Sequence, residues 1–348
     1  MRILRYAFLL LAASAALGAT YLTYLEHARV DLKLADKPTA PQAARAEPGA
    51  LTYRFLGNAN ILISDGETSI LTDGWFSRFP TGTLAFGLIE PDLQAIEAGL
   101  MRAEIEELAA VIPVHSHFDH AMDSPEVALR TGALLVGSES SANIARGWGL
   151  KEDRIRVPSS GEALRFGAFE VTLIRSDHFQ FPSEYARKSG GLGEFITAPL
   201  VTPAKVGDYK EGGSYSVLIR HPQATILIQG SAGYVEGALD GVDVDLLFLG
   251  VGGLGGQTDA YQREYWSQVA SAVRPELIVP IHFDSLTAPL GDNLAPPNRL
   301  WSDAIGMMAE KTIADFERLA AEEGAPVIFP ELWKQVHVSA ALAGATPR

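Results

Sequence analysis

Three histidines and one aspartate fall within six consecutive residues, His115-Ser116-His117-Phe118-Asp119-His120, and no other feature limits the possible folds so sharply. The run directly follows an apolar stretch at 109–114 that reads as a buried strand. It therefore occupies the loop at a strand end, where a scaffold presents its chemistry. Imidazole is a preferred zinc ligand and carboxylate serves as well. In an extended segment alternate side chains share one side, which pairs His115 with His117, and the following turn brings Asp119 and His120 round. The whole chain has only eight histidines in 348 residues, so incidental clustering is a poor explanation.

The surrounding pattern predicts an α/β domain. Strands are expected at 51–55, 60–64 and 69–72, separated by the turn residues Gly57-Asn58 and Asp65-Gly66. Helices at 91–108, 125–130 and 140–147 then alternate with strands at 109–114, 133–136 and 169–174. A hairpin at 214–220 and 225–229 precedes strands at 246–250 and 277–280, which flank a helix at 259–273. A last helix covers 309–323, followed by apolar runs at 327–329 and 333–338. Sheets covered by helices are the expected layering. A long insertion, 179–213, carries Phe181, Tyr185 and Phe195 and reads as a lid or substrate wall.

Composition narrows the chemistry. With no cysteine in the chain, disulfides, thiolate metal sites and thiol nucleophiles are excluded. A formal net charge of −14 disfavours nucleic-acid partners. At the N-terminus Arg2 and Arg5 precede 20 uncharged residues, Tyr6 to Leu25, enough for a helix about 30 Å long. Residues 1–29 are therefore expected to be a signal peptide or a membrane anchor. The Pro-rich stretch 30–50 is the expected linker, and 51–348 the catalytic domain. Retention of Arg2 and Arg5 inside would place the body outside the cytoplasm, either anchored and facing the periplasm or soluble there after cleavage.

The H-x-H-x-D-H run resembles the core motif of the metallo-β-lactamase-fold hydrolases. The nearest branch holds sugar-lactone hydrolases and N-acylphosphatidylethanolamine phospholipases. The likeness extends over most of 51–338. Gly57-Asn58-Ala59-Asn60 through Leu71-Thr72-Asp73-Gly74 is similar to that family's opening hairpin with its buried aspartate. His178 and His282, each following a predicted strand, match its later histidine motifs. The resemblance implies a four-layer αββα sandwich and a centre of two zinc ions. One ion would take His115, His117 and His178; the other would take Asp119, His120 and His282. The chain departs from the pattern at Gly230-Ser231-Ala232-Gly233, where Ser231 replaces the aspartate that bridges both metals. A neutral hydroxyl is the poorer ligand, which puts the second ion in doubt; Asp284 and Asp177 are possible substitutes.

The expected function is that of a zinc-dependent hydrolase using a metal-activated hydroxide, with Asp119 orienting the water and relaying a proton. An ester or lactone is the expected target. The alternatives are a phosphodiesterase or phospholipase D-like activity, or a non-catalytic metal-binding sensor domain. A small-molecule or lipid-like substrate and a membrane, reached through the N-terminal segment, are the expected partners. Asp73 has two readings, as a partner for a ligand's spare ring N–H or as a turn cap. Asp284 has the same two. His221, ahead of Pro222 in a hairpin turn, is expected to be exposed. Tyr185 and Tyr215 are the phenols nearest the site, and Gly250-Val251-Gly252-Gly253 reads as a flexible loop beside it.

Overall fold

The computed structural model describes residues 2–41, 49–159, 161–181, 190–304 and 306–344. Two sheets organise the chain. The first contains β1 (Thr52–Phe55), β2 (Ile61–Ser64), β3 (Ser69–Thr72), β4 (Ala110–Ile112), β5 (Leu134–Val136), β6 (Ile155–Arg156) and β13 (Gln335–His337), in the order β13-β1-β2-β3-β4-β5-β6. Its first four strands pair antiparallel, and from β3 onward the pairing is parallel. The second holds β7 (Ala163–Phe166), β8 (Phe169–Ser176), β9 (Ser214–His221), β10 (Ala224–Gln229), β11 (Leu246–Gly250) and β12 (Leu277–Ile281), in the order β12-β11-β10-β9-β8-β7.

The strand period explains the layering. Along β10, Ile226 and Ile228 join a core shared with Phe55, Ile61 and Ile112 of the first sheet, whereas Leu227 faces the other way. Leu227, Leu247 and Leu249 instead pack on Tyr265 and Trp266 of α7 (Asp259–Trp266) and Phe316 of α8 (Ala309–Glu323). On the opposite side Leu71, Val111 and Leu135 pack on α3 (Leu93–Arg102), α5 (Ser124–Thr131) and α6 (Glu139–Trp148). Two sheets thus pack face to face with helices on both outer faces. The helix expected at 259–273 stops at Trp266 and continues as a wider π turn, Ser267–Ser271.

The N-terminal segment corrects the expectation of a bilayer span, and with it the exported location built on that span. The segment is helical, α1 (Arg2–His27), but among the described residues no helix is long and apolar enough to cross a membrane. Thr20 and Thr23 bond back to the carbonyls of Ala16 and Ala19, and the helix ends in Glu26 and His27. Its last turn also belongs to the body: Leu25 is buried, and Glu26 Oε1 accepts from Thr81 N at 3.2 Å. Beyond it Val30 and Leu32 enter the core beneath α8, Arg29 pairs with Asn298, and Thr39 bridges to Phe329. Residues 42–48 lie outside the described residues.

Candidate metal centre

Strand ends supply every candidate ligand. His115 and His117 follow β4, and Asp119 and His120 lie on the single-turn α4 (Phe118–Ala121) that comes next. His178 follows β8 and His282 follows β12. The two sheets bring these distant positions together as two groups, His115 with His117 and His178, and Asp119 with His120 and His282. Within each group the ligand atoms lie within 4.8 Å of one another. The rings of His115 and His120 are 3.9 Å apart, so the two groups adjoin.

The spacings suit cations. His115 Nε2 lies 3.0 Å from His117 Nδ1, and His120 Nε2 lies 3.1 Å from His282 Nε2. Asp119 Oδ2 sits 3.4 Å from His120 Nε2 and 3.3 Å from His282 Nε2. Tetrahedral bonds of about 2.0–2.1 Å place neighbouring ligand atoms roughly 3.3–3.4 Å apart. Nitrogens so close together with their lone pairs converging need an ion or a proton between them.

His120, His178 and His117 are each aimed from behind by the bond the other ring nitrogen makes. His120 Nδ1 meets Asp73 Oδ2 at 2.7 Å, and Asp73 Oδ1 accepts from Val114 N at 2.9 Å. Asp73 therefore acts as a ring partner. His178 Nδ1 meets the Phe179 carbonyl at 2.9 Å, and His117 Nε2 meets the Gly190 carbonyl at 2.7 Å. His115 Nδ1 is buried without a partner. The insertion therefore takes part in the site: Gly190 supports His117, and the Lys210 and Glu211 carbonyls hold Ser116. Phe179 and Phe181 of the same segment lie against the His178 ring, at 4.6 and 5.4 Å.

Burial sets the electrostatics. It holds His115 and His178 well below the ordinary imidazole range, with neighbouring imidazoles pushing the same way. His117 is lowered too, burial outweighing the pull of Asp119. For His120 burial also opposes the charge, but the carboxylates of Asp73 and Asp119 outweigh it and raise the group. Burial acts to raise Asp119 and is overcome by His120 and His282, leaving it below the usual carboxylate range.

Ser231 lies at the end of β10 beside this centre, and its Oγ accepts from Phe179 N at 3.2 Å. It fixes the backbone next to His178. Asp177 is exposed, and Asp284 accepts from Asn58 N at 2.8 Å, so neither stands in the two groups. Tyr215 joins the core between the sheets, and Tyr185 lies outside the described residues. The glycine loop after β11 is fitted to the site: a Cβ on Gly252 would stand 2.5 Å from His282 Nδ1, so only glycine allows that ring its place. His221 is not exposed as expected, its ring lying 4.8 Å from Phe169 and 3.5 Å from Asp65. Sequence reasoning missed Asn58, whose signal was a Gly-Asn turn, and Gly190, whose carbonyl carries no signal at all.

Residues 52–282 match the model of the β-lactamase superfamily domain. A protein of Thermus thermophilus named as a metal-dependent hydrolase is 24% identical over 260 residues, 74% of this chain and 91% of the relative. One of the same description from Heliobacterium modesticaldum is 27% identical over 122 residues, 35% of this chain. That match spans 44% of the Heliobacterium protein, less than half its length. Among solved structures, a metallo hydrolase of the archaeon Ignicoccus hospitalis superposes with a TM-score of 0.49 at 15% identity, covering 82% of this chain and 97% of its own.

Proposed function

We infer that this chain, which belongs to the β-lactamase superfamily over residues 52–282, is a metal-dependent hydrolase with a two-zinc centre. The observation that carries the reading is the pair of adjoining groups, six side chains where a closed structural site needs four. When bound, such ions supply Lewis acidity and water ionised near neutral pH. Asp119, kept ionised by the imidazoles round it, would accept a hydrogen bond from that water, orienting it and relaying its proton. His117 and His178 would hold the first ion against the insertion, and their supporting carbonyls fix which ring nitrogen would face it.

The substrate is an ester or lactone. What supports this is the wall beside His282, formed by Phe283, Leu286, Pro297, Trp301 and Met307, with no lysine or arginine among its described lining residues. Such a wall suits a neutral, partly apolar acyl group better than a phosphodiester, whose charge calls for a cation. The test is ion content together with a screen of ester, lactone and phosphodiester substrates, on the parent chain and on His117→Ala. Ester or lactone turnover by the parent, lost with most of the first ion in His117→Ala, is expected. Equal ion content and turnover in the variant would sink the ligand assignment. Turnover confined to phosphodiesters would overturn the substrate class, and metal binding without any turnover would favour a sensor domain.

A further inference from the structure

The second group is assembled from two segments far apart in sequence, and one residue ties them together. Asp119 and His120 come from α4, whereas His282 lies in the loop after β12. Asn58, in the tight turn between β1 and β2, bonds to both. Its carbonyl accepts from His282 N at 2.9 Å. Its own N–H donates to Asp284 Oδ1 at 2.8 Å, two residues beyond His282. Its side-chain Nδ2 donates to the Asp119 carbonyl at 2.7 Å.

The backbone there is unusual on both sides of the contact. Asn58 has φ 56° and His282 has φ 60°. Asparagine is one of few side chains that enters the left-handed region readily. Glycine would satisfy the turn equally well, so the turn alone does not call for an amide. The orientation of that amide is fixed by the Asp119 carbonyl, which needs a donor. Its other atom, Oδ1, is left buried and without a partner. Position 58 therefore carries an amide at the expense of an unmet acceptor, which points to the Asp119 bond as its purpose.

We propose that Asn58 is a positioning residue for the second ion. By holding the Asp119 and His282 segments at once it sets the 3.3 Å gap between Asp119 Oδ2 and His282 Nε2. The inference rests on the proposed reading of these groups as ligands. Asn58 makes no hydrogen bond to His115, His117 or His178, so its effect is confined to one of two neighbouring ions.

Two variants of the full chain separate the amide from the turn. Asn58→Gly keeps the positive φ and both backbone bonds but removes the amide. Asn58→Asp keeps size and φ but turns an acceptor toward the Asp119 carbonyl. Each is loaded with zinc and dialysed against graded chelator, and ions per chain are counted by mass spectrometry without denaturation. The parent is expected to hold two ions. Both variants are expected to keep the first ion as the parent does and to bind the second about 10- to 100-fold more weakly. A residue that merely stabilises the fold would weaken both ions together and lower the melting temperature of the metal-free chain. Equal weakening of both ions, or two ions held as tightly as in the parent, overturns the proposal. A parent that never exceeds one ion in saturating zinc refutes the two-ion reading, and this inference with it, before any variant is made.

Discussion

Replacing Asp73 by asparagine tests whether the second group is organised by a tautomer. Asp73 uses both carboxylate oxygens, one accepting from His120 Nδ1 at 2.7 Å and the other from Val114 N at 2.9 Å. With Nδ1 as the donor, His120 Nε2 carries the lone pair and faces Asp119 and His282. Asparagine has the same shape and tolerates the φ of 54° found at this position, so the variant should fold. It has only one acceptor to give. If its oxygen stays on Val114 N, its NH2 faces His120 Nδ1 and drives the ring proton onto Nε2, the nitrogen needed for the ion. If the amide turns over, the His120 bond survives but Val114 N–H is buried facing another donor.

With the ion on Nε2 the ring proton must return to Nδ1, and either orientation then loses one buried hydrogen bond that the ion-free variant keeps, which costs about 1–3 kcal/mol. That corresponds to roughly a 10- to 100-fold weaker second ion, at about 1.4 kcal/mol per decade. The first group should be spared, since Asp73 makes no hydrogen bond to His115, His117 or His178. Zinc titration against a chelating dye, parent beside Asp73→Asn, reads both affinities. An unchanged second affinity, or loss of the first ion with the second intact, would show that Asp73 does not set the ring's proton.

Two further expectations follow from the same geometry. Ser231→Asp should tighten the second ion by about tenfold or more at limiting zinc, because a carboxylate offsets the repulsion between two neighbouring cations and can still accept from Phe179 N; a parent that already holds both ions tightly and gains nothing would mean that the bridge comes from elsewhere. On acidification a proton competes with the ion for each imidazole, and a raised group is protonated first. His120 is raised while His115, His117 and His178 are lowered, so from neutral pH toward about pH 5 the second ion should leave before the first. Counting ions per chain along that series checks the order, and simultaneous or reversed release contradicts it.

How much of this was legible in the sequence depends on where each partner sits along the chain. Four of the six candidate ligands fall within six consecutive residues, and His178 and His282 each follow a strand that apolar patterning reveals. The uncharged run at 6–25 misled because composition reports apolarity without saying what the helix end touches; Leu25 and Glu26 are engaged by the body, not by lipid. His221 misled in the opposite sense, since its turn gave no hint of Phe169 and Asp65, which the register of β8 against β9 and the β2–β3 turn bring beside it. The supports of the ligands were out of reach for a more general reason. A ligand needs a particular side chain, so its identity marks it. Its support can be a backbone carbonyl, as Gly190 is for His117, and every residue has one. Asn58 lies between these cases: its residue type matters, but its partners stand 61 and more than 200 residues away, joined only when the sheets pack. The catalytic groups of such a centre are therefore written locally, whereas the precision with which they are held is a property of the packed sheets.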